Sequence, residues 1–170
     1  MMQMLAAAAI EIVSDDHRSA DEDNPGGYFE FERVKKLTEG DDGWLSEAQG
    51  KAVKVVSPLL ELLPPTFEYR VVFMERRIRE ILASQRRMLA NRGEQPSVSD
   101  VVLAESYRRH LATVREWLRR QPHFQVLDVD YNRLIVDPEQ DVDRLSSFLD
   151  RPLALDRMKA VIDVKLYRAR

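Results

Sequence analysis

The chain has no cysteine among its 170 residues, which excludes a disulfide framework, a thiol nucleophile and a thiolate metal site. Histidine is nearly as scarce: His17, His110 and His123 stand in different stretches, with no partner at metal-ligand spacing. His110, set among arginines, reads as a solvated helix residue; His17, behind two aspartates, is a distant alternative base. No Gly-x-Ser-x-Gly elbow and no Ser–His–Asp order occur. The chain also lacks a Gly-x-x-x-x-Gly-Lys-Ser/Thr loop and a visible metal-binding Asp after a strand, which argues against a nucleotide kinase. No apolar run is long enough to span a bilayer. The opening stretch has no Lys or Arg before Arg18, and Glu11 interrupts its apolar run, unlike a secretory signal. A cytoplasmic protein is the default expectation. Repeats and low-complexity tracts are absent too.

What is present is enough for one domain, residues 1–170, with a genuine core: 44% of the residues are hydrophobic. The net charge of −3 is unevenly spread. Residues 1–47 carry twelve acids against four bases, a balance of −8, while residues 70–92 carry seven arginines against Glu75 and Glu80, a balance of +5. Arg108, Arg109, Arg115, Arg119 and Arg120 form a second basic stretch near Glu116. A basic middle of this kind suits a compact anion, although solvated helix faces account equally well for single arginines.

Turn-rich breaks at "DEDNPGG", "EGDDG", "PPT" and "NRGEQPS" divide the chain into short units. Three Val-rich runs read as buried strands: "KAVKVVS" (51–57), "YRVVFM" (69–74) and "FQVLDVD" (124–130). They are nearly continuous rather than alternating, as parallel strands covered on both faces are. Between them, Ile78, Ile81, Leu82, Met88 and Leu89 mark one helix face. Ala104, Tyr107, Leu111, Val114 and Leu118 mark a longer one, capped by Ser97 or Ser99. A further helix runs from Pro138 to Leu149. Strands alternating with helices predict an α/β fold with a parallel sheet.

The first residues, "MMQMLAAAAIEIV", show helical spacing at Met1, Met4, Leu5, Ala8 and Ile12, with no capping residue in front. A helix that starts at full hydrophobic strength looks like one that has lost its beginning.

Ligands of parallel α/β sheets bind where strands end and helices begin. Within "YRVVFMERRIREILASQ", Arg76 stands at a strand end and Ser84 lies eight residues further on. A guanidinium can grip a phosphate bidentately, and a hydroxyl adds a donor. The structural alternative pairs Arg76 with a local carboxylate and turns Ser84 toward a neighbouring helix.

Taken in order, these segments are similar to a known family. "FMERRIREILASQ" resembles the 3′-phosphate-binding segment of sulfotransferases that use 3′-phosphoadenosine 5′-phosphosulfate. "VLDVDYNRLIVDPEQDVDRLSSFLDRPL" resembles their strand, Tyr-containing turn and following helix, while "ADEDNPGGYFEFERVKKL", "GKAVKVVSPLLELLP" and "VIDVKLYRAR" look like bacterial members. The resemblance implies a three-layer parallel sheet with flanking helices, of the P-loop nucleotide-transferase type. It implies transfer of a sulfuryl group from that nucleotide co-substrate to a hydroxyl or amine of a small-molecule or glycan acceptor, with no turnover expected of this chain as it stands; the alternative is a non-catalytic nucleotide- or anion-binding protein of the same fold. No metal, nucleic-acid partner or membrane span is implied.

By the same resemblance Arg76 and Ser84 hold the 3′-phosphate and Tyr131 lies near the nucleotide. Lys54 sits close to where the resemblance places a Lys that stabilises charge on the moving group. Several members place a His just after that Lys, where this chain has Val55, Val56 and Ser57. The base is then expected to be a carboxylate, with Glu30 of "GGYFEFE" first and Glu32 second, since Gly26 and Gly27 allow a close approach. Each residue has a plainer alternative: a packed ring for Tyr131, a solvated Lys54, a carboxylate starting a helix for Glu30. Arg168 and Arg170 could reach an anion, though frayed terminal arginines are commoner.

Members of the family begin with a strand and a loop of the type Gly-x-Pro-Arg-Ser-Gly-Thr-Ser, whose backbone N–H groups cradle the 5′-phosphosulfate. The present sequence starts at the helix that follows such a loop, so an N-terminally truncated domain is expected. Such a domain has a sheet of fewer strands and a first helix poorly tied down. It closes the gap itself, borrows a strand from another copy as a homo-oligomer, or stays partly folded.

Overall fold

The structure, a computed structural model, describes residues 1–15, 20–21, 24 and 26–163. In chain order the regular elements are α1 (Met2–Ala7), β1 (Ile12–Val13), β2 (Ala52–Val53), β3 (Tyr69–Glu75), α2 (Ile78–Asn91), α3 (Asp100–Arg119), β4 (Phe124–Asp130), α4 (Tyr131–Val136), α5 (Glu139–Leu149) and α6 (Leu155–Ala160). Tight 3₁₀ turns cover Glu32–Glu39, Gly43–Ser46 and Ser57–Leu62. The chain divides into two units: one of residues 1–68 and 139–163, the other of residues 69–138.

The second unit is built on β3 and β4, which pair in parallel from Tyr69↔Phe124 to Glu75↔Asp130. Branched and aromatic residues such as Val71, Val72 and Phe73 favour the pleated strand. Parallel pairing demands a long crossover, and α2 and α3 supply it. Ser99 caps α3 by accepting a hydrogen bond from the Val102 N–H at 3.5 Å, with Asp100 in the first turn and Arg119 in the last, the order that suits the helix dipole. Ala104, Val114 and Leu118 are its buried face. At the other strand end, Asp130 accepts from the N–H groups of Asn132 (2.7 Å) and Arg133 (3.1 Å). That cap starts α4 directly after β4, where the sequence suggested only a Tyr-containing turn.

In the first unit α1 buries Met4, Leu5 and Ala8 and lies against α6. The helix expected to be poorly anchored is therefore held along one side. It also stops sooner than its apolar spacing implied, because Ala9 adopts φ 64°. The Ile10 N–H then bonds the Leu5 carbonyl and the Ala9 N–H the Ala6 carbonyl, closing the helix end in a Schellman motif. Ile12 consequently sits on β1, in parallel register with Ala52 of β2. Trp44 is buried edge-on against Phe31, with ring centroids 5.2 Å apart, and donates through Nε1 to the Asp41 carbonyl. Val142, Leu145 and Met158 are the most deeply buried residues of α5 and α6. Asp141, equally buried, is paired with Arg144 at 2.8 Å.

The single three-layer sheet is not confirmed: the described strands form two two-stranded parallel sheets, β1–β2 and β3–β4. β4 is accordingly not covered on both faces: Val129 is fully buried, but Gln125, Val126, Asp128 and Asp130 are exposed. The strand expected over 51–57 shrinks to Ala52–Val53, because Pro58 opens the 3₁₀ turn at Ser57–Leu62 and removes a ladder donor.

Candidate functional site

Because β3 and β4 end in register, the residues that follow them, Arg76 and Tyr131, emerge side by side at the carboxyl end of the pair. The Arg76 guanidinium carbon lies 4.8 Å from the centroid of the Tyr131 ring, a cation–π contact. Its Nε donates to Glu80 Oε2 at 3.2 Å, one turn into α2. Asn132 Nδ2 reaches the same carboxylate, at 2.8 Å and 3.0 Å from its two oxygens, and Arg77 stands 3.9 Å away. Glu80 is only 4% exposed, so its charge depends on these partners.

Ser84 is one helical turn beyond Glu80 on α2, in the i,i+4 relation that puts both on one face. It is exposed and makes no side-chain hydrogen bond among the described residues. The local carboxylate weighed as an alternative partner for Arg76 is present, as Glu80. It occupies Nε alone; the two terminal nitrogens have no hydrogen-bond partner among the described residues.

In the first unit, Lys54 follows β2 directly. Its Nζ donates to the Tyr28 carbonyl at 2.9 Å and lies 3.7 Å from Glu30 Oε1. The loop carrying Glu30 needs unusual backbone geometry: Gly27 has φ 82°, and Phe29, which is not glycine, has φ 50°. Gly26 lets the loop pass close to Gln3, whose amide would stand 3.1 Å from an added Cβ. The Glu30 carbonyl is held by the Asp15 N–H (3.1 Å) and the Ser14 hydroxyl (3.2 Å). Glu32 pairs with Lys35 at 2.7 Å on the exposed surface.

Of the five residues singled out from sequence, the structure brings Lys54 to Glu30 and Arg76 to Tyr131. It leaves Ser84 exposed on α2. Sequence reasoning missed Glu80 and Asn132; the signal for the first was an acid four residues after Arg76, at helical spacing. Four of the five arginines of the second basic stretch are ion-paired. Arg115 reaches Asp128 at 2.8 Å and also Glu75, Arg119 and Arg120 share Glu116, and Arg108 lies near Glu105. An open cleft of about 370 Å³ is lined by Arg115 and Arg119 with Phe73, Leu118 and Phe124, and none of the five residues borders it. His123 is buried as an aromatic neighbour of Phe124 at 4.7 Å; His17, Arg168 and Arg170 lie outside the described residues. Among the described residues no cluster of His, Asp and Glu is placed to hold a metal. No helix there is long and apolar enough to cross a membrane.

Residues 23–155 match the model of the sulfotransferase family, and the chain belongs to that family. All five residues lie within the matched span. No curated protein and no solved structure matches the chain.

Proposed function

We propose that the protein transfers a sulfuryl group from 3′-phosphoadenosine 5′-phosphosulfate to a hydroxyl or amine of a small-molecule or glycan acceptor. The acceptor oxygen or nitrogen bonds to sulfur as the donor's phosphate oxygen leaves, its proton passes to a base, and adenosine 3′,5′-bisphosphate is released. Arg76 and Ser84 hold the 3′-phosphate, with Tyr131 beside the nucleotide. Lys54 stabilises negative charge on the group in transit, and Glu30 takes the proton.

The observation that carries this reading is Arg76 at a parallel strand end, its face on Tyr131 and its terminal nitrogens without a hydrogen-bond partner among the described residues, within a chain of the sulfotransferase family. A guanidinium presented in that way is suited to a phosphate monoester. Calorimetry with adenosine 3′,5′-bisphosphate and with adenosine 5′-monophosphate tests it. The parent chain should prefer the bisphosphate, and Arg76→Ala should lose on the order of 1.5–3 kcal/mol of that binding, the range of a charge-assisted hydrogen bond. Equal affinity of parent and variant rules the assignment out.

A further inference from the structure

We infer that Glu80 is a positioning residue for anion recognition: it sets the orientation in which Arg76 presents its terminal nitrogens to the 3′-phosphate. The inference rests on the function proposed above and adds a residue that touches no ligand.

A carboxylate beside a phosphate-binding arginine looks counterproductive, since it cancels charge that would attract the anion. Its geometry indicates another purpose. Glu80 is 4% exposed, whereas the neighbouring acid Glu75 is exposed on the strand end. A buried carboxylate is retained at a cost unless it is paired and hydrogen-bonded. Glu80 is both, from two directions: Arg76 Nε from the end of β3 and Asn132 Nδ2 from α4. It therefore ties together the exits of both strands.

An arginine can offer a bidentate acceptor either the edge shared by Nε or the edge made by its two terminal nitrogens. Glu80 takes the Nε edge, and the Tyr131 ring covers one face of the plane at 4.8 Å. With one edge and one face fixed, the terminal edge is what remains to be offered, on a side chain that is 28% exposed. Arg77, 3.9 Å from the same carboxylate, keeps the cluster of two arginines and one acid at a net positive charge. Pre-orienting a long side chain in this way removes rotamer entropy that binding would otherwise have to overcome.

Orientation and simple electrostatics predict opposite signs for Glu80→Gln. Removing an acid from an anion site should tighten binding if charge alone matters. If Glu80 positions Arg76, the preference for adenosine 3′,5′-bisphosphate over adenosine 5′-monophosphate should fall about tenfold, the scale of one charge-assisted hydrogen bond. Asn132→Ser, which leaves the carboxylate in place but frees one side of it, should shift the preference in the same direction by less. Nitrogen-15 NMR supplies a second readout independent of ligand: the Arg76 Nε–H signal should be protected in the parent and exchange rapidly in Glu80→Gln. All measurements are made well below the melting midpoint of each variant, and the Asn132 variant carries the test if Glu80→Gln folds poorly: an unchanged nucleotide preference in Asn132→Ser then overturns the inference. A Glu80→Gln chain that keeps the parent preference, binds the bisphosphate more tightly, or loses affinity equally for both nucleotides overturns the inference alone. A parent chain without the preference overturns the functional proposal, and this inference with it.

Discussion

Lys54 donates to the carbonyl of Tyr28 at 2.9 Å while standing 3.7 Å from Glu30, so one ammonium group fastens the loop that carries the acid. The loop needs fastening because Phe29 holds φ 50°, a left-handed conformation that costs a non-glycine residue roughly 1–2 kcal/mol. Lys54→Met should remove a charge-assisted hydrogen bond from the part-buried Tyr28 carbonyl and destabilise the protein by about 1–2 kcal/mol. Thermal melts measure the loss, and hydrogen exchange should quicken at residues 28–30 before elsewhere. Unchanged exchange there would separate Lys54 from the loop.

Arg115 is the counterpart in the other unit, where its role is structural. Through one guanidinium it binds Asp128 of β4 and Glu75 of β3, and it lies 5.0 Å from the Phe73 ring. The hydrogen bond to Asp128, with the charges of Asp128 and Glu75, raises its pKa above the usual arginine value. Arg115→Met should cost about 1 kcal/mol, because two acids on adjacent strands then lose the guanidinium they share. The affinity for adenosine 3′,5′-bisphosphate should not change. A parallel loss of binding would move the anion site to the second basic stretch.

Acid sensitivity should come in part from Asp41. Arg33 binds its carboxylate through Nε at 2.9 Å and through a terminal nitrogen, and that hydrogen bonding holds the carboxyl below its ordinary value of 3.8. A carboxyl whose folded pKa is depressed stabilises the folded state above its unfolded value, and the contribution is lost as pH falls through the folded value. The pair should therefore support the fold at neutral pH and weaken only below about 3.8, the unfolded value of Asp41. In Arg33→Gln the Asp41 carboxyl should titrate higher by NMR, and the acid limb of the stability curve should begin at higher pH. An Asp41 that titrates at its ordinary value in the parent chain would remove the pair from the account.

Much of the second unit was legible because its signals are local. The runs at 69–74 and 124–130 become β3 and β4, and Ser99 caps α3 as its position before an apolar period suggests. Contacts fixed by register were harder to see. Arg76 meets Tyr131, 55 positions away in sequence, only because Glu75 and Asp130 are paired partners. Glu80 looked like one more charge in a basic helix, since its i,i+4 spacing from Arg76 hints at the pair but not at the burial. The α4 helix was missed because Asp130 serves as last strand residue and helix cap at once, leaving no loop to announce the change. The run at 51–57 misled for the opposite reason. Its composition is that of a buried strand, but only Ala52–Val53 pair, and Pro58, just past its end, opens a turn at Ser57.

The end of α1 provides a test of backbone strain without side-chain contacts. Ala9 occupies the left-handed position of a Schellman motif, where glycine is the usual residue, and it is exposed. Ala9→Gly should relieve the Cβ clash and raise stability by up to about 1 kcal/mol, net of the entropy glycine adds to the unfolded chain. A lowered melting temperature would show that the α1 end is held differently from the way its hydrogen bonds indicate.

The final prediction separates binding from turnover. The 170 residues contain no Gly-x-Pro-Arg-Ser-Gly-Thr-Ser-like stretch, and such a stretch supplies the family's backbone donors to the phosphosulfate. Loss of a single well-placed donor to developing charge commonly slows a reaction about a hundredfold or more, and a whole loop supplies several. The contacts of Arg76 with Glu80 and Tyr131, and of Asn132 with Glu80, by contrast, run between residues 76 and 132 and involve no such loop. The 170-residue chain should therefore bind adenosine 3′,5′-bisphosphate yet transfer no measurable sulfate to phenolic, sugar or amine acceptors. Titration calorimetry reads the first property and release of the bisphosphate from the sulfated donor reads the second. Turnover at ordinary enzymatic rates would show that another part of this chain stabilises the leaving group, and Lys54→Met would then be the first variant to assay.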